Sequence, residues 1–219
     1  MTPIRQQAGT QYKTLVKRTI VRALRSVFTD RFDEEQFKNL HIVPEFPMTK
    51  QQYPAIMVRY NGSSISNAGV GHEELFYDDD NNLRTWYHRR FEGNLEFVCL
   101  GMTTLDRDVL TDAVMEILSF GYLDDLRSEF FDEVYGHIND PSKVITRLNQ
   151  ITLNTDIITP GGDSAGPAPW EPEDTLIYQD SISIQITGGF YNGLPMIPDG
   201  IVGNVKIDQV ILDDPELES

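Results

Sequence analysis

Residues 90–99 read Arg90-Phe91-Glu92-Gly93-Asn94-Leu95-Glu96-Phe97-Val98-Cys99, and their polarity alternates almost to the end. Phe91, Gly93, Leu95, Phe97 and Cys99 share one parity, while Arg90, Glu92, Asn94 and Glu96 take the other. Successive strand side chains point to opposite faces, so the pattern predicts a strand with one greasy and one wet side. A second stretch repeats it: Leu176, Tyr178, Ile182, Ile184 and Ile186 oppose Gln179, Ser181, Ser183, Gln185 and Thr187. A sheet of such strands needs helices on one face only, which leaves a broad polar face and its loops for partners.

Helical periodicity appears on either side of the first strand. From Thr10 to Phe28, Tyr12, Leu15, Val16, Ile20, Ala23, Leu24, Val27 and Phe28 recur at three- and four-residue spacing. Lys13, Lys17, Arg18, Arg22 and Arg25 fall on the other side, which predicts a basic amphipathic helix packed on the sheet. Thr103 with Asp106 three residues on resembles a capping box. The helix it opens carries Leu105, Val109, Leu110, Ala113, Val114, Ile117, Leu118 and Phe120 as a wide apolar face, and Gly121 is its natural stop.

Further strands are expected at Ile42–Phe46 on an edge, at Ala55–Asn61 closed by an Asn61-Gly62 turn, at Leu83–Met102, at Val144–Thr159, at Thr175–Thr187 ending on Gly188-Gly189, and in Val202–Leu212. Residues 63–82 are Ser-, Gly- and acid-rich, with Glu73, Glu74, Asp78, Asp79 and Asp80, and extend as a hairpin through Leu75 to Tyr77. Leu83–Met102 exceeds the usual strand of about 5–6 residues, so part of it should project beyond the sheet or bend at a bulge near Gly93. Leu123–Tyr135 reads as a shorter helix, and Pro160–Pro172, dense in Gly and Pro, as a loop. The expected architecture is α+β: a single, mostly antiparallel twisted sheet with helices on one face, one domain over residues 1–219. A long insertion at about 122–174 and an acidic C-terminal tail complete it.

Charge narrows the function. The 219 residues carry 18 Lys and Arg against 34 Asp and Glu, a net charge of −16, which argues against a general nucleic-acid binder. Residues 1–31 hold seven of the basic residues, including Arg5 and Arg31, against one acid, Asp30; the tail from Asp208 has five acids and no base. Such polarity suits head-to-tail association of subunits. No run of about eighteen apolar residues predicts a membrane span, and the polar residues 1–10 do not read as a secretory leader. The lone Cys99 sits on the apolar parity of its strand and reads as a small buried hydrophobe.

Catalytic patterns fail on inspection. Gly162-Asp163-Ser164-Ala165-Gly166 matches the G-x-S-x-G nucleophile motif, but Pro167, Ala168, Pro169 and Trp170 follow where a helix must open. His72-Glu73-Glu74-Leu75-Phe76 has Phe76 where a zinc site needs its second histidine. Asp78, Asp79 and Asp80 lack the glycine and distal glutamate of a calcium loop, and Gly69-Val70-Gly71 lacks the third glycine of a phosphate cradle. Neither a catalytic residue, a metal ligand nor a cofactor is expected. Arg89 and Arg90 contact a partner or balance Glu92 and Glu96.

The order of elements resembles the tail terminator and related head–tail joining proteins of long-tailed bacteriophages. Tyr53 to Tyr60, Phe91 to Met102, Asp106 to Leu118 and Tyr178 to Gly188 carry the resemblance. It implies a structural virion protein, made in the host cytoplasm and seated at the tail–head junction. It also implies a ring, usually a hexamer, that contacts the tail tube and the head-completion or connector proteins and lets DNA pass without specific binding. On that view Glu73, Glu74, Asp78, Asp79, Asp80, Arg89 and Arg90 are candidate interface or lumen residues. Other neck, tail-tube or baseplate subunits share the same logic, and a hydrolase built on Ser164 or an acidic metal site is the remote alternative.

Overall fold

The computed structural model describes residues 4–32, 37–69, 73–77, 83–123, 126 and 145–193. Helix α1 (Ile4–Arg31) leads to β1 (His41–Val43), a 3-10 turn (Lys50–Gln52), β2 (Ala55–Asn67), β3 (Glu73–Tyr77) and β4 (Leu83–Gly101). Helix α2 (Thr104–Ser119) follows, then β5 (Ile145–Pro160), β6 (Ser164–Ala168) and β7 (Glu171–Gly193). The strands form one seven-stranded sheet in the order β1-β2-β4-β7-β5, with β3 added to β4 and β6 to β7. Only the β1–β2 pair is parallel. The α+β, mostly antiparallel expectation holds.

Both helices lie on one face. Val16, Ile20 and Leu24 of α1 and Leu110, Val114 and Ile117 of α2 share a buried cluster with Leu95, Phe97, Ile182, Ile184 and Ile186. These are the apolar parities read from the two long strands. The capping box at Thr103 is formed: its hydroxyl accepts from the Asp106 amide at 3.1 Å, and the Asp106 carboxylate accepts from the Thr103 amide at 3.2 Å. Gly121 ends the helix with φ 66°, a left-handed conformation that favours glycine.

Several expectations are corrected. Asn61-Gly62 is not a turn; β2 runs through it to Asn67 and absorbs one extra residue, because its register shifts between Gly62 and Ser64 opposite Gly93 and Glu92. The expected bend near Gly93 therefore lies on the partner strand. Gly188-Gly189 does not end β7 either: a side chain on Gly188 would strike the Phe91 ring and the Gln150 carbonyl, so glycine keeps the ladder continuous under the ring. Residues 160–172 contain β6, not only loop, and the segment 122–174 thus contributes two strands to the sheet. Leu105 and Phe120, expected on the apolar face, are 70% and 68% exposed, while Arg107 is buried. Most of Leu123–Tyr135 and all of Val202–Leu212 lie outside the described residues.

The second face is not uniformly wet. Ala55, Met57, Val98 and Leu100 are buried there under the β6–β7 hairpin, where Ala168 and Ile177 cover them and the Trp170 ring meets Tyr53 edge-on at 5.1 Å. Arg107 ties the approach to this hairpin down, with its guanidinium 3.2 Å from Asp163 and 2.6 Å from Asp108.

A methyl group on Gly93 would lie 2.5 Å from the Asn61 carbonyl and 2.7 Å from the Tyr60 ring, whereas nothing stands within 4 Å of one on Gly162. Gly93→Ala should cost about 1–3 kcal/mol and lower Tm by several degrees. Gly162→Ala should melt like the parent chain in a thermal scan, and equal melting of the two variants would refute this packing.

Candidate functional site

Glu73 and Glu74 occupy the first two positions of β3, opposite Tyr87 and Trp86 of β4. Asp78, Asp79 and Asp80 lie outside the described residues. At Trp86 and Tyr87, β4 is paired with β3 on one side and β7 on the other, so β3 prolongs the β2 side of the sheet. Leu83 to Thr85 have only β3 as neighbour among the described residues. The expected hairpin therefore exists, and its end extends past β7.

The two arginines part company. Arg89 pairs with Asn67 and Phe190 and turns to the helix-bearing face, where its guanidinium lies 5.8 Å from the centre of the Tyr87 ring. Arg90 pairs with Ser66 and Gly189 on the other face and is exposed. It opens onto a depression of about 530 Å³ that Ser66, Asn67, His88, Glu92, Gln150, Thr152 and Thr187 also line. Gly188 and Gly189 belong to its wall, and the His88 ring stacks on Tyr191 with centroids 4.5 Å apart. Of the expected residues, Arg89 and Arg90 lie on β4 and Glu73 and Glu74 on the β3 strand beside it, and among the described ones Arg90 alone lines the depression.

Sequence reading missed Gln150, Thr152 and Thr187 because they lie on separate strands, and only the register brings them together. The Gly188-Gly189 pair was the available signal. Chemically the depression offers amides, hydroxyls and one charge of each sign, groups suited to polar contact with a surface.

Ser164 sits on β6 and is exposed; its hydroxyl accepts a 2.6 Å hydrogen bond from the Gln179 amide. A strand-edge serine paired to an amide lacks both the strand-to-helix turn and the base of a nucleophile elbow. Among the described residues no group of three His, Cys, Asp or Glu is placed to hold a metal ion, and no helix is long and apolar enough to cross a membrane. Cys99 is fully buried, and burial pushes its thiol up to about 12 from an ordinary 9.0. Compared with known proteins, the chain matches no family model and no curated protein.

Two solution measurements follow from these groups. Cys99 should resist a disulfide reagent at pH 8 in the folded protein and react fully once denaturant is added; rapid labelling of the native chain would contradict its burial. Burial also raises Tyr12, Tyr53 and Tyr60 above their ordinary 10.0. Below about pH 8 these four groups are protonated in both folded and unfolded chains. Above it the unfolded chain releases protons first, so stability should fall steadily as pH rises from about 9 to 12. Denaturant midpoints measured across that range check the sign.

Proposed function

We propose that this chain is a structural subunit of a long-tailed bacteriophage particle, one that closes the tail tube as a ring, with a hexamer the expected form, and joins it to the head connector. The observation that supports this most is the β3–β4 hairpin. It leaves a sheet already backed by two helices, and the outermost part of β4 has no neighbour but β3 among the described residues. Isolated two-stranded ribbons are marginal in water, so a ribbon held beyond its own sheet gains stability from a neighbouring surface. In this reading the ribbon bridges subunits, and its acidic residues, Glu73 to Asp80, face another copy or the lumen.

Charge is compatible with that seat. A chain of net charge −16 repels DNA phosphates, so a genome passes a ring of such subunits without adhering. The partners are then other copies of the chain, the tail tube and the head-completion proteins, within a virion assembled in the host cytoplasm. A neck, tail-tube or baseplate subunit would use the same sheet and differ only in axial position.

Mass photometry of the full chain, with class averages from electron microscopy, tests the reading. A closed ring is the expected result, and replacing residues 78–82 by Gly-Gly should leave the fold intact while lowering ring occupancy at least about tenfold. A strictly monomeric chain at high concentration, with no incorporation into tails during assembly, would refute it. A particle reconstruction with the Glu73–Asp80 segment on the outer rim would remove the lumen assignment alone.

A further inference from the structure

The polar depression around Arg90 lies on the face of the sheet that carries no helix, and its hollow is built by strand register. Ser66 of β2 faces Arg90 of β4, Arg90 faces Gly189 of β7, and Gly189 faces Gln150 of β5. The neighbouring row runs Ser64, Glu92, Thr187 and Thr152 across the same four strands. Strands lie about 4.8 Å apart, so three spacings separate Ser66 from Gln150 by roughly 14 Å. In the middle of the first row Gly189 has no side chain, and the floor there is buried backbone. A Cβ at Gly189 would stand 3.0 Å from Nε2 of His88, whose ring is held by its stack on Tyr191. The depression of about 530 Å³ is thus set by the sheet's own pairing.

Its charges cancel. Arg90 and Glu92 stand two residues apart on one face of β4, about 7 Å along the strand. A bare anion drawn to the guanidinium therefore meets the carboxylate, and a cation meets the reverse. The next charged register positions on this parity, Glu74 opposite Trp86 and Arg147 opposite Tyr191, are again one of each sign. Farther along, Arg59 and Glu96 pair with each other at 3.5 Å. The other polar side chains of the lining include hydroxyls and primary amides, which both donate and accept. Bonds among these groups are long: Ser64 donates to Glu92 at 3.5 Å and Gln150 to Thr152 at 3.4 Å. The side chains of Ser66, Asn67, Arg90 and Thr187 make no hydrogen bond or ion pair with a described residue.

A ligand that fits such a lining is uncharged and dense in adjacent donors and acceptors. A sugar ring is both: its vicinal hydroxyls match planar guanidinium, carboxylate and amide groups, and its C–H face can lie against the His88 ring. We propose that the depression binds a neutral saccharide of roughly one or two rings, with Arg90, Glu92 and Gln150 holding its hydroxyls. Gly189 lets the ring approach the strand. The site stands apart from the ring reading, because every group in it belongs to a single chain.

Ligand-observed NMR and titration calorimetry on the full chain test the site. The probes are glucose, galactose, N-acetylglucosamine, maltose, cellobiose and lactose as free sugars, and dextran as a polymer. Inorganic phosphate and spermidine are the anionic and cationic probes. Saturable binding of at least one sugar is expected, with Kd about 1 mM or tighter. It should not change between about 0.05 and 0.5 M salt, because the ligand carries no charge. Arg90→Ala and Gln150→Ala should each weaken it at least about tenfold, while Ser164→Ala, on the distant β6, should bind as the parent does. All three side chains are exposed, so circular dichroism and Tm should match the parent. Binding of free sugars assigns the site to small saccharides, whereas binding of dextran alone assigns it to linked chains. An absence of saturable binding across the sugars overturns the site, as does sugar binding that survives both Arg90→Ala and Gln150→Ala. Phosphate or spermidine binding that is salt-sensitive and tighter than that of any sugar makes the depression an ion site and overturns it too. None of these outcomes decides whether the chain forms rings, which mass photometry reads separately.

Discussion

The packing of four aromatic rings over glycine holds the fold in register. Tyr12 of α1 stacks on Phe190 of β7 at 5.0 Å, meets Tyr60 of β2 edge-on at 6.1 Å and leans on Phe91 of β4 at 5.8 Å. One helix residue thereby touches three adjacent strands. Such pairs contribute about 0.5–1.5 kcal/mol each beyond the area they bury, but their larger effect is geometric. The rings fit only because Gly62, Gly93 and Gly188 carry no side chain where Tyr12, Tyr60 and Phe91 approach. Interiors packed at crystal density transmit such constraints, so three glycines and four rings fix where α1 crosses the sheet.

That constraint explains why the strands are so long. A bulge opposite Gly93 lets β2 turn under Tyr60 and still keep its pairing to Asn67, and β5 shifts register twice to follow β7. Strands of 19 and 23 residues then overrun the helices at both ends. The overhang at the β7 start is folded back: Trp170 meets Tyr53, Ala168 is buried, and Arg107 reaches Asp163. It completes a small second core. The overhang at the β4 start has no comparable tether among the described residues, and this asymmetry separates the structural hairpin from the available one.

Much of this was legible in residue periodicity. Alternation over 90–99 and 176–187 gave the face that each side chain takes, and Thr103, Asp106 and Gly121 marked both ends of α2, because caps and parity are local physics. Glycine misled in two places. Asn61-Gly62 and Gly188-Gly189 carry turn chemistry, yet Gly62 lies under the Tyr12 ring of α1 and Gly188 under the Phe91 ring of β4, and no local rule contains those rings. Leu105 and Phe120 carry the right periodicity for burial but sit at the two ends of a helix that the sheet does not fully cover. Arg107 is buried because its helix starts beside the β5–β6 connection, a contact between residues 56 apart (163 − 107). Of the depression around Arg90, single residues were visible, but its assembly depends on pairing across three strands.

Charge carries the last step. A copy with net charge −16 repels another at long range, yet salt limits that repulsion to about 8–10 Å under physiological conditions, so the sign of the touching patches decides whether copies associate. Basic residues spread evenly over the surface would leave every approach repulsive. Here seven of the 18 lie within residues 1–31, and α1 displays most of them on the side turned away from the sheet. The amphipathic helix thus does two jobs with one sequence. Its apolar stripe anchors the aromatic cluster, and its basic stripe concentrates positive charge on one element of an otherwise acidic chain.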